Sequence, residues 1–401
     1  MAGLRNLSRL LFAASALVFV ATTGAAAPPP ARPVAAAGQA AKANPAGLQV
    51  GTRPAAPATQ ASARRRTTPP RPVYVVRLLP PGSKPDANVS SAAVGRMVAG
   101  ANSYWSQQSR GQVSFRLAKV SAWTRTSHRC DDIEGLWGDA YAREPAATKR
   151  AAHLVVIVPG RAASSSRCLY GFGSNGFADS GGSTYVSEAR ASLLAHELGH
   201  NLGLGHSGSL LCPRAQDGRY VNGSWRSGCR RNEYDDLFDV MGYSGRGFGQ
   251  GSLNAVNLDR LGADPAAIRS LSTSARVPLA PLSASAGVRG VKMLAGDGVE
   301  YYAEYRTATG RDAAPSTGAW RPRMGVRILR VDPETGDSLE LDATPAKGSR
   351  FDRALLPGRT FVSASGRLRV RVVSANASGA VLDVRIARPS VKAPRVRGSR
   401  T

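Results

Sequence analysis

One stretch limits what this chain can fold into more than any other: His196-Glu197-Leu198-Gly199-His200-Asn201-Leu202-Gly203-Leu204-Gly205-His206. Three of the chain's five histidines fall within it. On a helix, His196 and His200 share one face a single turn apart. Both imidazoles can then grip one ion from the same side. Gly203 stands where such a helix must stop, and glycine accepts the left-handed backbone that the stop often needs. The turn brings His206 round as a third ligand.

Three protein ligands leave one position on a zinc ion open for water, which marks a catalytic rather than a structural site. Glu197 lies next to His196, on the side of the helix that can reach that water, and is the expected general base. The pattern H-E-x-x-H-x-x-G-x-x-H carries this mechanism in its spacing. It resembles the zinc motif of the metzincin clan of metalloproteases. That clan also has a methionine turn beneath the metal, and this chain offers Met241 in Tyr234-Asp235-Asp236-Leu237-Phe238-Asp239-Val240-Met241-Gly242-Tyr243. The D-x-M-G form, with Ser207 just after the third histidine, is most similar to the gametolysin-like branch, and the resemblance covers roughly residues 73–262.

The resemblance implies an α/β (α+β) two-lobed catalytic domain with a cleft at one zinc ion, and endopeptidase activity on extracellular proteins. It implies that Met241 floors the site without binding metal. In some metzincin branches a tyrosine placed like Tyr243 is a fifth zinc ligand or stabilises the oxyanion; read by itself, Tyr243 is an ordinary half-buried tyrosine. Two readings from other classes stand beside this one. The chain could be a non-peptidase zinc hydrolase acting on cell-wall amide bonds, or an inactive secreted binding protein that keeps the metal as a staple.

At 401 residues the chain is long enough for two domains and a linker. Its net charge of +26 is unevenly placed. Residues 1–72 carry nine Lys and Arg and no acid, and residues 388–401 carry five and no acid, together 14 of the 26. Phosphate binding needs only clustered positive charge, but the sequence has no recognition motif, and no nucleic-acid partner is expected. Protein or peptide substrates and a monomer are.

Residues 1–26 read as a secretory signal peptide, with Arg5 and Arg9 before an apolar run and Ala25-Ala26-Ala27 for cleavage. The run is short for a membrane span, so a secreted, extracellular or periplasmic location is expected. Residues 27–72, rich in Ala, Pro and Arg, read as a linker or propeptide that cannot fold alone. Arg64-Arg65-Arg66 is either a processing site or an exposed basic stretch.

The catalytic domain is expected over 73–265. Residues 71–79 and 112–120 read as strands, 89–107 and 133–143 as helices, and 154–158 (LVVIV) as a buried central strand. Asn88 or Ser90 can cap the first helix. Residues 171–182 read as a glycine-rich loop, and 184–186 as the edge strand over the cleft, where strand addition binds a substrate backbone. Asn175 and Asp179 could touch a calcium ion, though their spacing matches no defined loop. The zinc helix is expected over 189–202, and a short helix over 252–261. His128 and His153 read as structural or exposed.

Four cysteines, Cys130, Cys168, Cys212 and Cys229, form an even set in a secreted chain and argue for two disulfides in one of three pairings. Cys212–Cys229 is favoured because it closes a loop between the third histidine and Met241; Cys130–Cys168 then remains. After a boundary at 262–274, short alternating runs separated by turns read as a C-terminal all-β, sandwich-like domain over 275–387. A basic tail follows at 388–401. Glu304 and Asp332 show no partner in sequence.

Overall fold

The computed structural model describes residues 68–160, 168–177, 179–242, 251–316, 322–345 and 353–387. The signal peptide, nearly all of the linker with Arg64–Arg66, the basic tail and Tyr243 lie outside the described residues.

The chain enters through β1 (Arg71–Leu79), α1 (Ser91–Gln108), β2 (Phe115–Arg125), α2 (Ile133–Arg143) and β3 (His153–Ile157). Then come β4 (Gly171–Gly173), β5 (Gly182–Val186) and α3 (Ala191–Asn201). These strands form one sheet in the order β2-β1-β3-β5-β4. All pairings are parallel except β4 with β5. Ser90 starts α1 by accepting the Ala93 N–H at 3.2 Å.

Alternation along β3 explains its unbroken apolar run. Leu154 and Val156 face α2 with Leu136 and Ala140. Val155 and Ile157 face α1 and α3 with Val94, Met97, Leu194 and Leu198. A strand covered by helices on both faces has no solvent face to make polar. β5 is likewise interior, which corrects the expected edge strand at 184–186. The edge is β4, whose Gly-Phe-Gly carries almost no hydrophobic signal and was expected as loop.

After α3 the chain forms β6 (Ser207–Leu211), the hairpin β7 (Tyr220–Val221) and β8 (Ser224–Trp225), β9 (Arg230–Asn232), and α4 (Ala255–Leu261). The rest is strand: β10 (Ile268–Leu271), β11 (Ala275–Leu279), β12 (Gly290–Leu294), β13 (Glu300–Arg306), β14 (Gly325–Val331), β15 (Ser338–Leu341), β16 (Thr360–Val362), β17 (Leu368–Asn376) and β18 (Gly379–Ile386). A seven-stranded sheet runs β10-β12-β13-β14-β15-β6-β9, and a four-stranded one β11-β18-β17-β16. Val277, Val370, Leu382 and Val384 of the smaller sheet share a core with Tyr301, Ile328 and Leu339 of the larger.

The larger sheet crosses the boundary expected at 262–274. β6, which begins one residue after His206, pairs in parallel with β15, Ser207 beside Ser338. Leu210, Cys212 and Cys229 belong to the core of the two β-sheets. A short strand with little pattern of its own carries no mark of which sheet will accept it. Both disulfides form, Cys130–Cys168 and Cys212–Cys229. Among the described residues no helix is long and apolar enough to cross a membrane.

Candidate metal centre

α3 packs against α1 and under β4, and Trp105 of α1 donates to the Ala195 carbonyl at 3.1 Å. No side chain caps the start of α3 at Arg190. Its end is well defined. Gly203 is left-handed (φ +87°), with its N–H on the His200 carbonyl at 2.9 Å and the Leu204 N–H on the Gly199 carbonyl at 3.0 Å. This pair of bonds is the Schellman stop, and it needs the glycine. The chain then reverses and delivers His206.

His196, His200 and His206 converge, with one ring nitrogen from each within 4.8 Å of the others. Among the described residues this is the one cluster of three or more His, Cys, Asp or Glu placed to hold an ion. Each Nδ1 has an oxygen partner: Val240 O at 2.7 Å for His196, Leu204 O at 3.0 Å for His200 and Glu233 Oε1 at 2.7 Å for His206. Those partners place the proton on Nδ1 and leave the Nε2 lone pair facing inward. The Nε2 atoms of His200 and His206 stand 3.2 Å apart. Lone pairs brought together in this way repel unless a cation lies between them. Burial lowers His196 to about 3 and His200 to about 4, so neither takes up a proton to relieve the repulsion near neutral pH. Three imidazoles whose Nδ1 atoms are already held by oxygen partners suit Zn2+.

Glu197 is buried, and burial pushes its carboxyl up to about 8. A dication beside it acts in the opposite direction. The Gly171 Cα lies so close that a side chain there would collide with Glu197 Oε1. The edge strand therefore passes directly over the carboxylate. Met241 is fully buried against α3 at Gly199, and the Val240 carbonyl beside it holds His196. Asp239 fastens this turn, accepting the N–H of Met241 at 2.8 Å and of Asn254 at 2.7 Å.

Tyr234, seven residues before Met241, stands beside the histidines. Its ring lies 4.2 Å from that of His206 and 5.9 Å from that of His196, centre to centre. Its backbone is left-handed (φ +58°), uncommon for a tyrosine and often found where a site holds its residues under strain. Burial, then Glu233 and Glu197, raise its hydroxyl pKa above the usual range. Glu233 was missed because a carboxylate on a loop has no periodicity to give it away.

The calcium reading loses its support. Asp179 faces Arg150 at 3.6 Å, and both are exposed. His153 is buried on β3 with Nδ1 3.0 Å from Asn201 Oδ1, and His128 pairs with Asp132 at 2.6 Å, so neither joins the centre. Glu304 and Asp332 find partners in Arg306 (2.6 Å) and Arg231 (3.4 Å).

Residues 91–207, from α1 through all three histidines, match the family model described as metallo-peptidase family M12B, reprolysin-like. No curated protein matches the chain. Among solved structures it is similar to metalloproteinase-II from Bacteroides fragilis, at 14% identity over 49% of this chain and 54% of that one, with a TM-score of 0.31. It is also similar to a chain in a chaperone–substrate complex, at 15% identity over 49% and 35%, with a TM-score of 0.27. The chain thus spans about half the length of the first and about a third of the second. The family match and the three-histidine cluster together support a zinc-dependent peptidase domain.

Proposed function

We propose that the chain is a secreted zinc endopeptidase that hydrolyses extracellular proteins. The observation that carries this is the convergence of three Nε2 lone pairs beside the buried carboxylate of Glu197. His196, His200 and His206 hold the ion. Zinc supplies a Lewis acid that makes water nucleophilic near neutral pH and polarises the scissile carbonyl.

The chain's own groups do the rest. Glu197 takes a proton from the attacking water and passes it to the leaving amine. Burial raises the basicity of the carboxylate and the neighbouring ion lowers it, and the two opposing effects act on the group that must take up the proton. Tyr234 Oη donates a hydrogen bond to the carbonyl oxygen as negative charge builds there. This role falls to Tyr234 because its ring packs at a tilt against that of His206; Tyr243 remains a candidate from resemblance. Among the described residues β4 is the outer strand of its sheet, and its outer edge offers backbone groups to an extended substrate. Within the clan, the D-x-M-G form of Asp239–Gly242 favours the gametolysin-like branch. The parallel sheet and α3 make the upper lobe, the Met241 segment the lower, and the strands after 275 a sandwich-like support. The signal-peptide reading of residues 1–26 supports secretion.

The test is hydrolysis of an unstructured protein such as casein by the purified chain, with and without a zinc chelator, beside Glu197→Ala. Cleavage lost in both controls is the expected result. Zinc-loaded protein that cleaves nothing, including after removal of residues 28–72, would overturn the peptidase reading.

A further inference from the structure

His196 and His200 are aimed by the helix that carries them. His206 has no such support, because it stands on the return from the Gly203 turn, outside α3. Its backbone N–H donates to Asp337 Oδ1 at 2.9 Å, across 131 residues of sequence. Its carbonyl accepts the Ser338 N–H at 3.1 Å. Both peptide groups of the third histidine are therefore held by two adjacent residues at the start of β15. Its Nδ1 is held separately by Glu233.

Asp337 is itself held firmly. Its carbonyl accepts the Asp332 N–H at 2.8 Å, closing the turn between β14 and β15. Its second carboxylate oxygen lies 3.7 Å from Arg231 Nη1, and the same nitrogen pairs with the buried Asp332 at 3.4 Å. Arg231 sits on β9, two residues before Glu233. Gly205 lies against the carboxylate so closely that a Cβ there would collide with Oδ1.

We infer that Asp337 is a positioning residue for the third metal ligand, and that the β14–β15 turn completes the metal centre from outside the motif-bearing segment. This rests on the reading of the three histidines as the metal site. Metal affinity depends on ligands already standing where the ion needs them. Groups that orient a ligand typically account for about 10–100-fold in affinity. Asp337 orients His206 through its main chain, so the rotation of the whole residue depends on a carboxylate in the β-rich region.

The test measures zinc affinity of the full chain by competition with a chromophoric chelator, together with the visible spectrum of the cobalt-substituted protein. Asp337→Ala is expected to bind zinc about 10–100-fold more weakly, with a changed cobalt spectrum. Asp337→Asn keeps an oxygen acceptor for the His206 N–H and is expected to restore most of the affinity. Glu334→Ala, in the same turn but hydrogen-bonded to Tyr220 rather than to His206, is expected to bind as the unaltered protein does. Far-UV circular dichroism of the metal-free forms checks folding. Should the alanine variant not fold, Gly205→Ala displaces the same carboxylate and is expected to weaken zinc binding in the same range. Unchanged affinity in a folded Asp337→Ala, or in Gly205→Ala, overturns the inference. So does an asparagine variant as weak as alanine. An unaltered protein that fails to bind zinc overturns the metal-site reading itself.

Discussion

The backbone of Gly199 lies against the sulfur of Met241 with no room for a methyl group between them. A residue inside the metal-binding helix and the residue beneath it are thus in direct contact. Alanine in a helix interior is normally about 1 kcal/mol better than glycine. Here overpacking opposes that gain, at about 1–3 kcal/mol. Met241 is fully buried, and its neighbour Val240 holds His196. Gly199→Ala is therefore expected to lower both thermal stability and zinc affinity. Calorimetry and zinc titration check it, and a variant more stable than the parent would show the turn to be free to shift.

Glu197→Ala is expected to keep zinc and lose turnover by about 10²–10⁴-fold or more, the usual contribution of a positioned general base. Metal content and casein cleavage are measured on one preparation. Full activity in zinc-loaded mutant protein would remove Glu197 from the mechanism.

Tyr234→Phe keeps the ring that packs against His206 and removes only the hydroxyl. A lost oxyanion donor typically lowers kcat by about 10²–10³-fold. The expected pattern is a fall in kcat on a peptide substrate with KM and zinc affinity little changed. An unaltered kcat would assign the tyrosine to packing alone.

His153 makes the metal-free protein sensitive to acid. Burial lowers its pKa from 6.5 to about 4, so the unfolded chain binds a proton that the folded chain refuses. The stabilisation is full above about pH 6.5 and is lost as pH falls towards 4, amounting to roughly 3 kcal/mol. Melting temperatures between pH 7 and 4 should fall less steeply in His153→Gln than in the parent, and the slope that remains in the variant comes from groups common to both. Parallel slopes would show that His153 takes no part.

The Cys212–Cys229 bridge closes a loop of sequence separation 17. Loops of this size contribute about 3 kcal/mol in the chain-entropy picture. Changing both cysteines to serine is expected to lower denaturant stability by that order, with the zinc affinity of any folded protein nearly intact. A tenfold loss of zinc affinity would tie the bridge to the site as well.

Much of the catalytic region was legible in the chain. β1 and α2 occupy the expected spans, and α1, β3 and α3 lie within two residues of theirs at both ends. The convergence of three histidines was readable because its geometry is local: one helical turn separates His196 from His200, and a glycine stop delivers His206. β4 was not readable, since two glycines around Phe172 make no pattern, and its pairing with β5 supplies what its side chains do not. Nor did the boundary at 262–274 show that β6 joins β15.

By itself the sequence determined the run of strands and helices from β1 to β3, the helix that follows, the three histidines and the carboxylate beside the first of them. Each follows from the 3.6-residue or 2-residue period and from the backbone freedom of one glycine, all properties of neighbours along the chain. Tertiary structure alone decided what aims those histidines: the Val240 carbonyl, the Glu233 carboxylate, the ring of Tyr234 and Asp337 from 131 residues away. Those contacts close long loops. Their partners are chosen by how sheets and helices pack, and spacing along the chain holds no record of that choice.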